Sequence, residues 1–365
     1  LARQIKSSSL AGNSYWTRQG AEMVRLRPDW VQIVLERRTH PHGGDLGWRR
    51  YGYLYQEPGC DPVFLWPEEV AHFAPTPDPL ATLRQSEPRP LRHDKFPRPG
   101  AQVRWPRMCL VTLSYQQAPF VEATMCSILD QKYPNLAYGV QDGGSTDGSA
   151  EIITRYVPRL SHAESAPDEG QGDAIRKGFT KLYPRNEDIM AWVNSDDLLM
   201  PGALQYVGEY FARHPEVDVV YGHRVIIDDE GKETGRWFLP QHDENTLPWF
   251  DLVPQETLFW RARCYRAVGE IDPSFQFALD WDLLLRFEQA GFVIRRLPYF
   301  LGCFRVHASQ KTTAHINTVG EGEMTRLRRR THGREVHTSE IQKHLDEEIR
   351  RSAVVEWLHR WGVRR

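Results

Sequence analysis

The chain has 365 residues, 46 basic and 48 acidic, for a formal charge of -2; this is too long for one small core and too balanced to suggest nucleic acid or a strongly anionic partner. Five cysteines, Cys60, Cys109, Cys126, Cys264 and Cys303, are spread widely with no Cys-x-x-Cys pair, which argues against a disulfide framework and a zinc knuckle and fits a reducing compartment. No run approaches the roughly 20 apolar residues of a membrane span, since the most apolar late segment, residues 292–306, carries Arg295, Arg296 and Arg305. The chain therefore reads as soluble and cytoplasmic, with the inner face of a membrane as the other option. Its start at Leu1, without methionine or a leader pattern, is compatible with an excised part of a longer protein.

Residues 1–57 mix aromatic and basic side chains, and the alternation in Trp48-Arg49-Arg50-Tyr51-Gly52-Tyr53-Leu54-Tyr55 predicts a short strand or hairpin. Proline recurs every few residues over 58–106, which disfavours helix and continuous sheet and predicts an extended connector lying across a domain surface. At Met108 the texture changes. Met108-Cys109-Leu110-Val111-Thr112-Leu113 reads as a buried strand, Ser114-Tyr115-Gln116-Gln117 as a loop, and residues 120–131 as a helix spaced by Phe120, Ala123, Ser127 and Ile128. A strand over 137–140 runs into Asp142-Gly143-Gly144-Ser145-Thr146-Asp147-Gly148, followed by a helix over 149–156. A third strand, Ile189-Met190-Ala191-Trp192-Val193, empties into Asn194-Ser195-Asp196-Asp197, and Pro201 is expected to start the next helix. Strand, helix, strand, helix predicts a parallel sheet with helices on its faces, whose ligands sit at the carboxyl ends of the strands. A strand-like run over 297–306 ends at His307, and after Lys311 the sequence turns helical and charged, with Arg326, Arg328, Arg329 and Arg330 clustered and an amphipathic piece over 341–361. This C-terminal helical extension is either a solvated, domain-packing tail or a membrane-surface or partner-binding helix.

Two acidic loops at strand ends are the main chemical signal. Asp196-Asp197 sets two carboxylates side by side, an arrangement a divalent cation would offset; oxygen donors of this kind suit magnesium or manganese, which keep waters and bind substrate phosphates. An ordinary helix cap with a solvated neighbour is the alternative. The glycines and small hydroxyls of residues 142–148 let backbone approach a ligand, with Asp142 available to accept from a base or ribose, unless the loop is a plain turn with Asp147 capping the next helix. Asp168-Glu169-Gly170-Gln171-Gly172-Asp173 matches neither the dinucleotide fingerprint nor a P-loop. Asp280 and Asp282 stand at the head of the apolar run Trp281-Asp282-Leu283-Leu284-Leu285, where a helix cap is again the alternative.

Together these pieces resemble the inverting glycosyltransferase family 2, whose domain has the GT-A fold, an α/β, Rossmann-like nucleotide-diphospho-sugar transferase fold. The resemblance rests on Val111 to Gln117, on Ser127-Ile128-Leu129-Asp130-Gln131-Lys132-Tyr133-Pro134-Asn135, on residues 142–149, 168–178 and 194–204, on Pro254-Gln255-Glu256, on Asp280-Trp281-Asp282-Leu283 and on Arg305-Val306-His307. It covers residues 106–311, leaving 1–105 as an N-terminal accessory region with its connector and 312–365 as the helical extension. It implies that Asp142 holds the nucleotide base with Thr112 and Tyr115 lining the pocket, that Asp173 helps close the donor site, that Asp196 faces ribose or sugar, and that Asp197 and His307 reach a manganese or magnesium ion. Asp280 would be the general base. The implied reaction moves a hexosyl or N-acetylhexosaminyl group from a nucleotide sugar, first of all a UDP-sugar, to an acceptor hydroxyl in polysaccharide, glycolipid or glycoprotein glycan synthesis. The alternative is a GT-A-like module that binds nucleotide or carbohydrate without catalysis. Two departures stand out: Gln116 replaces the family's frequent asparagine, and Arg176-Lys177-Gly178 lacks the asparagine usual before the lysine-glycine pair. Gln255 and Glu256 are read as near the acceptor or as structural.

Overall fold

The computed structural model describes residues 21–26, 31–39, 45–55, 63–65, 87–307 and 319–360; Cys60, Lys311 and Trp361 lie outside them. Two compact units result, Leu1–Asp78 with Ile349–Arg365, and Pro79–Glu348. In the first, β1 (Ala21–Leu26), β2 (Val31–Thr39), β3 (Asp45–Tyr55) and β4 (Val63–Leu65) form an antiparallel meander in that order. The predicted hairpin of residues 48–55 is the β3 arm of the β2–β3 pair, with Val31 opposite Tyr55. The proline-rich stretch is not free of sheet, because β4 falls inside it.

The second unit is built on β5 (Met108–Ser114), β6 (Leu136–Asp142), β7 (His162–Ser165) and β8 (Ile189–Asn194), which pair in parallel in the order β7-β6-β5-β8. All seven residues of β5 are buried, as expected of a central parallel strand covered on both faces. Beyond β8 the sheet departs from the all-parallel expectation. The antiparallel β12 (Phe259–Arg261) joins β8 to β10 (Val219–Ile227), β10 pairs in parallel with β13 (Ile294–Arg305), and β9 (Leu198–Leu199) and β11 (Glu233–Trp237) add antiparallel edges. Two successive antiparallel pairings make β10 and β13 parallel to β8 again, so the carboxyl end of β13, which leads to His307, opens on the same edge as the loops after β5, β6 and β8.

Helix α1 (Val121–Leu129) buries Val121, Thr124, Met125, Ile128 and Leu129. That stripe is one step away from the predicted one, and Ala123 is exposed. Helices α2 (Ser149–Tyr156) and α3 (Gln171–Leu182) follow β6 and β7; a Cβ on Gly178 of α3 would sit 2.5 Å from Val111 Cγ1, so this glycine sets how closely the helix approaches β5. Helix α4 is Ala203–Arg213, beginning after Gly202 in a left-handed conformation, so Pro201 belongs to the preceding turn and does not start the helix. After α5 (Ala262–Ala267), α6 (Leu279–Gln289) buries seven of its residues including Trp281 and Asp282, the signature of a helix inside the core. Trp192 and Trp260 pack edge to face at 5.4 Å. Residues 87–107 cross the surface of this unit as the connector was expected to, with Phe96 against Tyr206 and Tyr299 and Arg107 ion-paired to Asp188 at 2.8 Å.

Two helices close the chain, α7 (Glu321–His332) and α8 (Thr338–Arg360). Leu327 of α7 is fully buried in the same core as α6, which makes α7 a packed part of the second unit. Among the described residues no helix is long and apolar enough to cross a membrane.

Candidate active site

Strand β6 ends on Asp142, whose buried carboxylate accepts hydrogen bonds from Ser145 Oγ at 2.6 Å, Ser145 N at 2.9 Å, Gly144 N at 3.2 Å and Ser165 Oγ at 2.6 Å. The carboxylate thus shapes the glycine loop from inside. That loop is tied to the one after β5: Gln116 N donates to Ser145 Oγ at 2.8 Å, Gln116 Nε2 to Thr146 Oγ1 at 3.1 Å, and Ala118 N to Asp147 Oδ2 at 2.9 Å. Asp147 also accepts from Ser149 N at the head of α2, the capping role foreseen for it. Gln116 sits at φ 55, a left-handed position that asparagine occupies more readily, so the substitution falls on a backbone demand. Tyr115 is 64% exposed, and a Cβ on Gly143 would lie 3.1 Å from both Tyr115 Cδ2 and Asp168 Oδ2. Thr112 is different: it is buried, its hydroxyl accepting from Tyr138 Oη at 2.8 Å, so it sits beneath the loops while Tyr115 stands among them.

The glycine-rich segment before α3 is braced by its own acids. Asp168 Oδ1 accepts from Gly170 N at 2.9 Å, and Asp173 accepts from Glu169 N at 3.1 Å and pairs with Lys177 at 2.7 Å. Lys177 holds the Asp173 carboxyl below its ordinary range. Gln171 Nε2 donates to Asn194 Oδ1 at 3.0 Å, Asn194 Nδ2 donates to Gln255 Oε1 at 3.1 Å, and Gln255 Nε2 donates to the Trp192 carbonyl at 2.7 Å. This amide relay joins the Asp168–Asp173 segment to the acidic loop.

The acidic loop is fixed from three sides. Thr124 Oγ1 of α1 donates to the carbonyls of Ser195 and Asp197 at 2.8 and 2.7 Å, Arg305 N donates to Asp197 Oδ1 at 3.0 Å, and Arg305 Nε donates to the Asp196 carbonyl at 2.8 Å. Arg305 also lies 4.8 Å over the Phe120 ring, which packs on His307 at 4.7 Å. His307 Nε2 comes to 3.0 Å from Asp196 Oδ2, so residues 111 apart in sequence meet. Burial, then the charges of Asp196 and Glu256, push the Asp197 carboxyl well above its ordinary range. Glu256 itself is buried and gripped by Arg224 through contacts of 2.8 and 2.6 Å.

Charge links this cluster to Asp280. Burial works against the Arg224 charge, but Glu256, then Asp197 and Asp251, hold its pKa up. Asp251, exposed in area yet hemmed in by protein, is pushed well above the carboxylate range by those surroundings and by Asp280. Asp280 is the second residue of α6, half-buried, one of its oxygens accepting from Trp281 N at 3.0 Å. The structure therefore brings Asp196, Asp197 and His307 into one cluster, with Asp280 linked to it only through successive charge interactions by way of Asp251 and Arg224, while Asp142 and Thr112 are engaged by their own surroundings.

Sequence reasoning missed Arg224, Asp251 and the amide relay, and it left Gln255 and Glu256 undecided. Arg224 sits in the middle of a β10 strand with nothing local to mark it; the pairing of β10 with β12, which sets the preceding 255–257 turn against β10, brings it to Glu256.

The residues present suit a divalent cation of the magnesium or manganese kind. Among the described residues no group of three or more His, Cys, Asp and Glu side chains forms a cage, and such ions use one or two carboxylates plus waters and substrate phosphates. Burial does most to raise Asp197, with the charges of Asp196 and Glu256 adding to it, and a cation bound here would offset both.

Residues 109–271 match the family model described as glycosyl transferase family 2. An uncharacterized glycosyltransferase of Nostoc sp. (strain PCC 7120) is 28% identical over 135 residues, 34% of this chain and 39% of that protein. The O-antigen biosynthesis protein RfbC of Myxococcus xanthus is 25% identical over 51% of this chain and 15% of its own length. The chain thus spans well under half of either relative. Among solved structures, residues 1–349 of S. aureus TarS in complex with UDP-GlcNAc superpose with a TM-score of 0.51 at 15% identity, covering 67% of this chain and 72% of that one; this likeness speaks for the fold.

Proposed function

From the premise that the central domain belongs to glycosyltransferase family 2, we propose that this chain is an inverting, metal-dependent glycosyltransferase of surface-glycan synthesis that uses a nucleotide sugar, first of all a UDP-sugar. The observation that carries this reading is the 3.0 Å contact of His307 with Asp196, beside Asp197, at the joined ends of β13 and β8. A short strand end and a loop over a hundred residues away converge there on a pair of acids. Asp197, with His307, would hold magnesium or manganese, which when bound offsets the charge that grows on the departing diphosphate, and Asp196 would face the ribose or sugar. Tyr115 and the Asp142 loop would take the base, and Asp173 would stand at the edge of the donor. The acceptor hydroxyl gives its proton to the Asp280 carboxylate as its oxygen bonds to the anomeric carbon. The bond from that carbon to the diphosphate oxygen breaks on the opposite face, and its electron pair leaves with the nucleotide. A positioned base of this kind is worth about 10²–10⁴-fold.

The UDP preference draws on one support: TarS, which shares the fold, was solved with UDP-GlcNAc; the Asp142 carboxylate, buried and held by four donors of its own loops, shapes the pocket rather than meeting the base itself. Hexosyl and N-acetylhexosaminyl donors are both in scope, and polysaccharide, glycolipid or glycoprotein glycans are the acceptors proposed.

The test is binding and turnover of a panel of UDP-, dTDP- and GDP-sugars, with and without manganese, on the parent protein, Asp197→Ala and Asp280→Ala. The reading stands if one donor is turned over only with metal, Asp197→Ala loses metal-linked binding, and Asp280→Ala binds but does not react. Absence of donor binding under every metal condition would leave a non-catalytic module.

A further inference from the structure

We propose that helix α7 is a positioning device for the base: Glu323 and Arg330 grip α6 on either side of Asp280 and set where its carboxylate stands. This inference rests on Asp280 being the base, as proposed above. Its geometry is independent of that role.

A helix exposes its first N–H groups, which ordinarily need a side-chain or solvent partner. Helix α6 has no cap of its own, since its N-cap residue is Ala278. Glu323 of α7 instead anchors the chain that leads into it, reaching the helix itself only at the Ala278 N–H. Its Oε1 accepts from Gln276 N at 2.7 Å and its Oε2 from Phe277 N at 2.8 Å and Ala278 N at 2.9 Å, so one carboxylate fixes three successive peptide units directly before the helix. Asp280 follows two residues later.

On the other side of Asp280, the buried Asp282 accepts from Arg330 Nη1 at 2.6 Å through Oδ1 and from Arg286 Nε and Nη2 at 2.9 and 2.6 Å through Oδ2. The Arg286 contacts lie within α6, but the Arg330 contact comes from α7. Glu323 and Arg330 are two turns apart on α7, about 10 Å along its axis and on one face. They bracket residues 276–282 as two fixed points, with Asp280 between them. Arg328, on the same helix, donates to the Trp249 carbonyl at 2.7 Å and lies 5.4 Å from the Trp281 ring; His332 is 3.1 Å from the Pro248 carbonyl. The segment leading to Asp251 is thus held by the same helix.

The bracket has a mechanistic reason. A base must meet the acceptor oxygen within hydrogen-bond reach, and misplacement by about 1 Å can cost about 10²-fold in rate. No regular element lies between Ala267, where α5 ends, and Leu279, where α6 begins, to fix the approach to α6 by itself.

The test compares Glu323→Ala, Glu323→Gln and Arg330→Met in the 365-residue chain with the parent, using the member of the sugar-nucleotide panel that the parent turns over. Arg334→Ala, which removes the exposed pair with Glu340 at the far end of α7, is the control. The expected result is a kcat lowered by about 10–10²-fold in Glu323→Ala and Arg330→Met, with donor Kd within about twofold of the parent, partial recovery in Glu323→Gln, and an unchanged Arg334→Ala. Amide hydrogen exchange at 276–278 should quicken in the Glu323 variants, a readout that requires no turnover. Quickened exchange with unchanged kcat would overturn the proposal, as would donor affinity falling in step with kcat, because either outcome reduces α7 to packing. If Glu323→Ala does not fold, Glu323→Gln decides by the same criteria. If Asp280→Ala retains full turnover, the assignment of the base fails, and the exchange data then stand only as a measure of the grip.

Discussion

On the proposed reading the site has a donor half and an acceptor half, and Asp142, Asp168 and Asp173 of the first are held by different means from the chain around Asp280 in the second. In the donor half, Asp142 is satisfied by groups no more than 23 residues away, and Asp168 and Asp173 by groups within four. In the acceptor half, the residues around Asp280 depend on Glu323 and Arg330, 45 to 48 residues further along the chain. Asp142, Asp168 and Asp173 thus sit in loops that satisfy them over short range, whereas the acidic loop is held by Arg305 from over a hundred residues away and the approach to Asp280 only once α7 has packed on the core. Local satisfaction leaves loops able to adjust to a ligand one at a time; long-range satisfaction makes the base part of the global fold.

The largest effect should come from Asp282→Ala. It leaves the guanidinium groups of Arg286 and Arg330 without their buried partner, and removal of one side of such an arrangement costs about 3–5 kcal/mol. Asp142→Ala takes the acceptor away from four local donors in loops that can rearrange toward water, for about 1–3 kcal/mol. Urea unfolding of the two variants measures both costs, and equal costs would erase the distinction between the halves.

The connector offers a third mode, attachment by charge, and pH should separate it from the other two. Glu233 is buried at the start of β11, where Arg89 and Arg236 reach it; burial alone would raise its pKa, but the hydrogen bonds of Arg236 and Arg89 bring it down from 4.5 to about 2. A depressed carboxyl contributes its full stability above the unfolded value and loses it as pH falls through the folded one, so the contribution fades between pH 4.5 and about 2. The shift corresponds to about 3 kcal/mol. Glu233→Gln should flatten the acid limb of the stability–pH curve over that window, and an unaltered limb would mean that the connector docks by apolar contacts such as Phe96.

Next in size is Gly302→Ala. Its Cβ would lie 2.7 Å from Glu256 Cγ and 3.0 Å from the Glu256 carbonyl, where β13 passes the turn that links the two halves. Overpacking there should cost about 1–3 kcal/mol by urea unfolding. Because Glu256 carries Arg224, the same variant should disturb the Asp197 and Asp251 sides together; a change confined to donor binding would place Glu256 wholly in the donor half.

This division also governs what the sequence made legible. The apolar runs of β5 and β8 and the acid-bearing loops after β6 and β8 could be read because each is a local pattern with its turn residues in place. Asp280 could be read as a helix head. The antiparallel β12 could not be distinguished from loop, since three residues give no period, and the stripe of α1 was misplaced by one step because Ala123 is apolar yet exposed and Phe120 precedes the helix, packing on His307 and Arg305. Arg224 and Glu323 carry no local mark at all: an arginine in a strand and a glutamate early in a charged helix look like surface residues until strand pairing and helix docking bring them to their carboxylate or amide partners. Of the two readings of the C-terminal extension, a domain-packing tail or a membrane- or partner-binding helix, Arg328 and Arg330 follow the first, turning inward to Trp249 and Asp282.

The smallest expected effect tests whether the donor loops are held by backbone or by side chains. Gln116 occupies a left-handed conformation at φ 55, which costs an ordinary residue about 1–2 kcal/mol and asparagine less. Gln116→Asn should relieve part of that strain while losing the Nε2 contact to Thr146, which is worth about 0.5–1.5 kcal/mol. The two terms oppose each other, and Gln116 N still donates to Ser145 Oγ, so a net change below about 1 kcal/mol with unchanged donor affinity is expected. A clear loss of affinity would show that the Gln116 side chain bridges the β5 and β6 loops as a functional contact, and that the donor half depends on more than the acceptors within its own turns.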